Sequence, residues 1–143
     1  MTIQKKMTAI ALSLLVLGGT MVSTFAYTYV TGTQYQTVTH KDIPAWGDAH
    51  YDTNYGSKKT MTSQIGTFKK TKGDAALGNY AVLINSSKSA VSKIEGIPLN
   101  RTVLVSEYNC NKGKIYFSAV TSHLLEPSNT CDVTLKFSAD DLV

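Results

Sequence analysis

Five side chains able to hold a metal ion or move a proton fall between residues 40 and 52: His40, Asp42, Asp48, His50 and Asp52. Imidazole and carboxylate together suit zinc or calcium. Their spacing does not repeat the ordered pattern of a known loop site, and Asp is an ordinary turn residue, so no metal centre is expected. Hydrolysis would need a nucleophile with a base in hydrogen-bond reach. The chain has no G-x-S-x-G, H-E-x-x-H or Cys–His signature. No catalytic residue and no cofactor is assigned, and a small secreted hydrolase is the least supported of three functional readings.

Cys110 and Cys131 are the two cysteines. Without a Cys-x-x-Cys pair or a nearby histidine they make a poor zinc site. Export, argued below, makes oxidation the expected state, so a Cys110–Cys131 disulfide is predicted. It would close a loop of about 22 residues, which the chain-entropy account values at roughly 3 kcal/mol.

The aromatic residues are unevenly spread. Tyr27, Tyr29, Tyr35, Trp46, Tyr51 and Tyr55 crowd residues 27–57, and Trp46 is the lone tryptophan. Residues 43–56 are rich in Gly, Asp and Asn, carry no sustained period, and read as a long loop. Tyr and Trp offer flat contact area at low entropic cost. Trp46, Tyr51 and Tyr55, with Lys58 and Lys59 beside them, are therefore the candidate binding residues. The favoured expectation for the aromatic residues themselves is nevertheless that Trp46 and some tyrosines are buried as a plug at the end of the fold.

Strands must position these groups. Residues 130–138 (TCDVTLKFS) alternate, Cys131, Val133, Leu135 and Phe137 against Asp132, Thr134 and Lys136. Residues 101–108 and 114–121 are β-branched and apolar. Asn109 to Gly113 supplies turn residues between them, and Pro127 interrupts the next connection. The three strands read as an antiparallel meander. Residues 79–85 form a continuous apolar run suited to a central strand. Residues 58–71 form a polar strand near an edge, and 34–39 a further short one. The expected core is Val82, Ile84, Val103, Val105, Ile115, Phe117, Val133, Leu135 and Phe137, with the buried face of 101–108 left open between Val103, Val105 and Leu104, Tyr108. Outside the first 26 residues no helical period persists. The fold class is all-β, an antiparallel β-sandwich.

Residues 1–26 look like a secretory signal. Lys5 and Lys6 precede an apolar run from Met7 to Val22, and Thr24-Phe25-Ala26 is a small-x-small cleavage site. The run is shorter than the roughly 20 residues a spanning helix needs. The mature chain is thus expected to be secreted, with no transmembrane segment. It divides into the aromatic, partly irregular stretch 27–57 and a sandwich core at 58–143, together one domain of roughly 115 residues. The formal net charge is +4, of which Lys5 and Lys6 supply two. With Arg101 its single arginine, the chain lacks a nucleic-acid footprint. Its lysine pairs suit an anionic envelope surface or simply a solvated edge.

Two resemblances follow. The signal, the Tyr- and Lys-rich first half, and the runs GKIYFSA (113–119) and CDVTLKFSAD (131–140) look like the small exported β-sandwich proteins of Gram-positive bacteria that have no assigned function. Trp46-Gly47 followed by YDTNYGSK (51–58) is similar to a segment of the lactococcin-type sandwich bacteriocins, which act at the cell-wall precursor. The leading expectation is an exported, non-enzymatic binding domain whose partner is a cell-envelope component or a protein or peptide. A bacteriocin-like antibacterial protein is the alternative.

Overall fold

The computed structural model describes residues 7–8, 27–127 and 131–143. Apart from Met7 and Thr8, the expected signal lies outside the described residues. So do Ser128, Asn129 and Thr130, with which the last predicted strand was to begin. Among the described residues ten strands follow in order: β1 (Met7–Thr8), β2 (Thr28–Thr31), β3 (Gln36–Ile43), β4 (Ala49–Lys58), β5 (Ile65–Gly73), β6 (Asn79–Ile84), β7 (Glu95–Gly96), β8 (Thr102–Ser106), β9 (Ile115–Ser122) and β10 (Cys131–Ser138). Among the described residues there is no helix.

The strands form two sheets. The larger runs β1-β2-β4-β9-β6-β7 and the smaller β3-β10-β5-β8. Neighbours pair antiparallel except β2 and β4, which run parallel, Thr28 opposite Tyr55 through Thr31 opposite Lys58. The all-β class and the two-sheet build agree with the sequence reading. The C-terminal meander does not. β8 and β10 share the smaller sheet but are separated by β5, while β9 lies in the larger sheet between β4 and β6. The chain changes sheet at each connection. Alternation tells which face of a strand is buried and is silent on its neighbour.

Apolar faces of both sheets meet in the core. Val133, Leu135 and Phe137 of β10 point inward beside Phe68, Val105, Ala81 and Leu83. β10 keeps its predicted alternation, with Asp132 and Lys136 exposed. Val105 is buried and Leu104 and Tyr108 are exposed, which settles the open face of β8. β6 has the opposite parity from that expected: Ala81 and Leu83 enter the main core. Val82 is only half-buried, and with Ile84 it faces away from the smaller sheet. There Ile84, Phe117 and Ala119 form a second cluster, against which Tyr27, Val82 and Ile115 pack. β9 therefore has apolar cover on both faces, which is why its burial does not alternate.

The predicted disulfide is absent; both cysteines are free and buried. Cys110 packs with Tyr116 and Ala139, just beyond the end of β10. Cys131 begins β10 opposite Ile43. The length of that strand, about 25 Å at some 3.3 Å per residue, lies between them, far beyond the Cα separation of about 7 Å that a disulfide tolerates. Burial raises the Cys110 thiol to about 11 and shifts Cys131 the same way. Both are held as inert thiols.

Candidate functional site

Residues 43–56, read as a loop, are mostly strand: only Pro44 to Asp48 lie between β3 and β4. Gly, Asp and Asn suppressed the strand signal, and a bulge broke the period. The β4–β9 register slips between Asp52 and Ser57, where Asp52 Oδ1 accepts the N–H groups of Asn54 and Tyr55 at 2.9 and 3.1 Å.

This strand scatters the five candidate binding residues. Trp46 stands in the β3–β4 turn with 60 % of its surface exposed, so it is not an end plug. Tyr51 pairs with Ala119 on the outward face of the larger sheet, and the Lys88 ammonium lies 5.8 Å from its ring. Tyr55 is exposed at the bulge. Lys58 lies over the Tyr29 ring. Lys59, expected at the surface, is 1 % exposed and paired with Glu107 and Asp140. β4 spans about 30 Å at the usual strand rise, so Trp46 and Lys58 mark opposite ends of the molecule.

Of the proton-handling residues, two come together. His40 reaches across from β3, its Nδ1 2.9 Å from Nδ1 of His50 and its Nε2 2.9 Å from Oγ of Ser118. Burial, then the neighbouring His50, lowers the His40 imidazole to about 3. It is a neutral link between sheets. His40 and Ser118 are wholly buried, so this Ser–His contact offers no substrate a way in. Asp52 caps backbone instead, and the Asp42 backbone N–H is itself capped, donating to Asp132 Oδ1. No group of three or more His, Cys, Asp or Glu side chains gathers as a metal site among the described residues.

The structure gives Trp46 different companions. The β3–β4, β5–β6 and β9–β10 connections meet at one end of the sandwich around Glu126, which is 3 % exposed. Its carbonyl accepts the Trp46 N–H at 3.0 Å, its Oε2 accepts the Leu77 N–H at 2.9 Å, and its own N–H donates to His123 O at 3.0 Å. Gly47 donates to Ser122 Oγ, which in turn donates to Pro44 O. Leu124 packs on Gly47 so closely that a Cβ there would lie 2.7 Å from its Cδ2. On this scaffold Trp46, Leu77, Leu124 and Leu125 project outward with 60, 49, 72 and 67 % exposure. Trp46 holds φ at +63°, a region a bulky residue rarely adopts. Beside them a shallow cleft of about 290 Å³ is lined by Gly47, Tyr80, Ile94, Thr121, Ser122, His123 and Leu124.

Sequence reading found Trp46 and missed Leu77, Leu124, Leu125 and Glu126. One signal was present: Leu124-Leu125 stand directly before Glu126-Pro127, apolar residues in a connection that Pro127 keeps out of a strand.

A scan against protein-family models and searches of the curated proteins and of the solved structures each return no match.

Proposed function

We propose that this chain is an exported, non-enzymatic binding domain that attaches to the lipid surface of the bacterial envelope through its Trp46, Leu77, Leu124 and Leu125 end. One observation carries the reading: four large apolar side chains stand exposed on three adjoining loops tied together through one buried residue, Glu126. Exposed apolar groups gathered in this way mark interaction or membrane surfaces, whereas scattered single ones do not. Trp suits the headgroup level, and leucines can enter the acyl boundary. Completing the burial of four side chains already a little over a third covered is worth about 4–7 kcal/mol at 1.5–3 kcal/mol per full side chain. That corresponds to millimolar-to-micromolar partition, a reversible attachment. A sugar site would instead set hydrogen-bonding groups round the ring, and the neighbours of Trp46 here are leucines.

The lone tryptophan is the probe. Vesicles containing phosphatidylglycerol should carry the mature protein with them on flotation and shift Trp46 emission to the blue. Leu124→Ser with Leu125→Ser should abolish both effects while leaving the fold intact by circular dichroism. Unchanged emission and no flotation at millimolar lipid would refute the reading.

A further inference from the structure

A lysine and two carboxylates are sealed inside this sandwich where charges are costly. Lys59 follows β4, Glu107 follows β8 and Asp140 follows β10, and all three have side chains with no solvent exposure. Lys59 Nζ donates to Glu107 Oε1 at 2.6 Å and to Ala139 O at 2.7 Å, and lies 3.6 Å from Asp140 Oδ1. Backbone bonds fix each position: Lys59 N–H to Lys114 O, Gly113 N–H to Lys59 O, Glu107 N–H to Gln64 O, and Asp140 N–H to Ser138 Oγ.

We propose that Lys59 and Asp140 condense to an isopeptide bond between Nζ and Cγ, with Glu107 as the catalytic proton carrier. Three features of the site suit that step. The amine and carboxyl are held together, and such placement replaces a second-order encounter worth effective molarities of about 10⁵–10⁸ M. The Asp140 carboxyl lies in a ring of donors: Oδ1 accepts the N–H groups of Thr60 and Met61 at 3.1 and 3.0 Å, and Oδ2 accepts Thr60 Oγ1 at 2.5 Å. N–H groups aimed at a carboxyl oxygen hold the negative charge that grows there when an amine adds to the carbon. Finally, Glu107 Oε2 is buried with no hydrogen-bond partner, a place for a proton. Burial raises that carboxyl to about 7, although Lys59 pulls the other way, so it can take and release a proton near neutrality.

The step balances within the three residues. Glu107 takes one proton from the Lys59 ammonium. The freed amine nitrogen attacks Asp140 Cγ and forms the N–C bond. A second nitrogen proton follows the first through Glu107 to one carboxyl oxygen, whose C–O bond breaks, and that oxygen departs as water. No oxidant or cofactor is needed, and Glu107 ends as it began. The driving force is local: one buried cation and one buried anion become a neutral amide, which removes the desolvation cost both carried. The bond would tie the end of β4 in the larger sheet to the segment after β10 in the smaller, supplying the covalent staple that the separated cysteines cannot.

Intact mass under denaturing conditions tests this on the purified full chain after incubation, folded, at pH 7. Wild type should weigh 18 Da less than the mass calculated from its own N-terminus, and a digest should contain one branched peptide joining Lys59 to Asp140. Glu107→Gln should keep its calculated mass. Asp140→Asn, which would expel ammonia in place of water, should lose 17 Da at the same linkage. A wild-type chain at its full calculated mass overturns the proposal. So does an 18 Da loss without the branched peptide, since an aspartate closing on its own backbone loses the same mass.

Discussion

His40 of β3 and His50 of β4 face each other Nδ1 to Nδ1 at 2.9 Å, across the seam between the two sheets. Ser118 holds the other ring nitrogen at 2.9 Å, and burial, then the neighbouring His50, keeps His40 neutral. Across the same core lies the opposite case, Glu107, a carboxyl that burial holds protonated toward neutrality. The fold thus contains two internal groups whose titrations pull stability in opposite directions.

The signs give a testable profile. His40 falls from 6.5 to about 3 on folding, so the unfolded chain binds the extra proton between those values and stability from this group is lost as pH falls below about 6.5. Glu107 rises from 4.5 to about 7, so the native chain binds the extra proton and stability is lost as pH rises from about 4.5 through 7. Each slope is about 1.4 kcal/mol per pH unit where it is fully developed. Between pH 4.5 and 6.5 the two largely cancel, and urea unfolding of wild type should be nearly flat for these two groups. Glu107→Gln should expose the His40 slope, stability rising with pH. His40→Gln should expose the reverse. Parallel profiles in all three proteins would remove both assignments.

Denatured without reductant, the chain should take up alkylating reagent at both Cys110 and Cys131. The folded protein should resist, because the two thiols are 2 % exposed and burial raises both above the ordinary thiol range. Mass addition of two adducts only after unfolding is the expected result. A non-reduced chain that takes none when unfolded would contradict the separation of the cysteines along β10.

β10 shows what was legible and why. Its apolar residues fall at every second position, and a strand with one wet face writes its burial directly into that pattern. β9 carries apolar residues on both faces, so its pattern gave the strand and not the partner. Lys59 was misread for a different reason. A lysine beside a second lysine has the local signature of a solvated edge, and its burial depends on Glu107 and Asp140, 48 and 81 residues further along the chain. Nothing within a local window contains that information. The Trp46 end is an intermediate case. The tryptophan was visible, while Leu77 and the Leu124-Leu125 pair become its neighbours only when three connections converge on Glu126.

Glu126→Ala should therefore loosen that end. It removes the acceptor of the Leu77 N–H and leaves a part-buried donor unmet, a loss of about 1–3 kcal/mol. The main core, centred on Phe68, Leu83, Leu135 and Phe137, does not include Glu126. Amide hydrogen exchange should accelerate at residues 75–78 and remain slow in β9 and β10. Uniform acceleration would mean that Glu126 supports the whole sandwich and not one end of it.

Among the described glycines, Gly32 has the closest neighbour to an added Cβ, and its substitution should be the most damaging of them. A Cβ there would stand 2.2 Å from Oδ2 and 2.6 Å from Cγ of Asp140, and 3.0 Å from the Lys58 carbonyl oxygen. The carboxyl cannot swing aside cheaply, because Thr60 and Met61 bind both its oxygens. The Lys58 carbonyl is fixed as well, accepting the Gly32 N–H at 2.7 Å. Overpacking a closed site usually costs about 1–3 kcal/mol, and here the displaced group is the buried, hydrogen-bonded side chain of Asp140, so Gly32→Ala should fall at or above the top of that range. Gly113→Ala makes the control. It places a side chain in open space at φ +89° and should cost only backbone strain, of about 1–2 kcal/mol. Chemical unfolding of the two variants side by side decides the matter, and a Gly32→Ala chain as stable as Gly113→Ala would show that Asp140 has room to move.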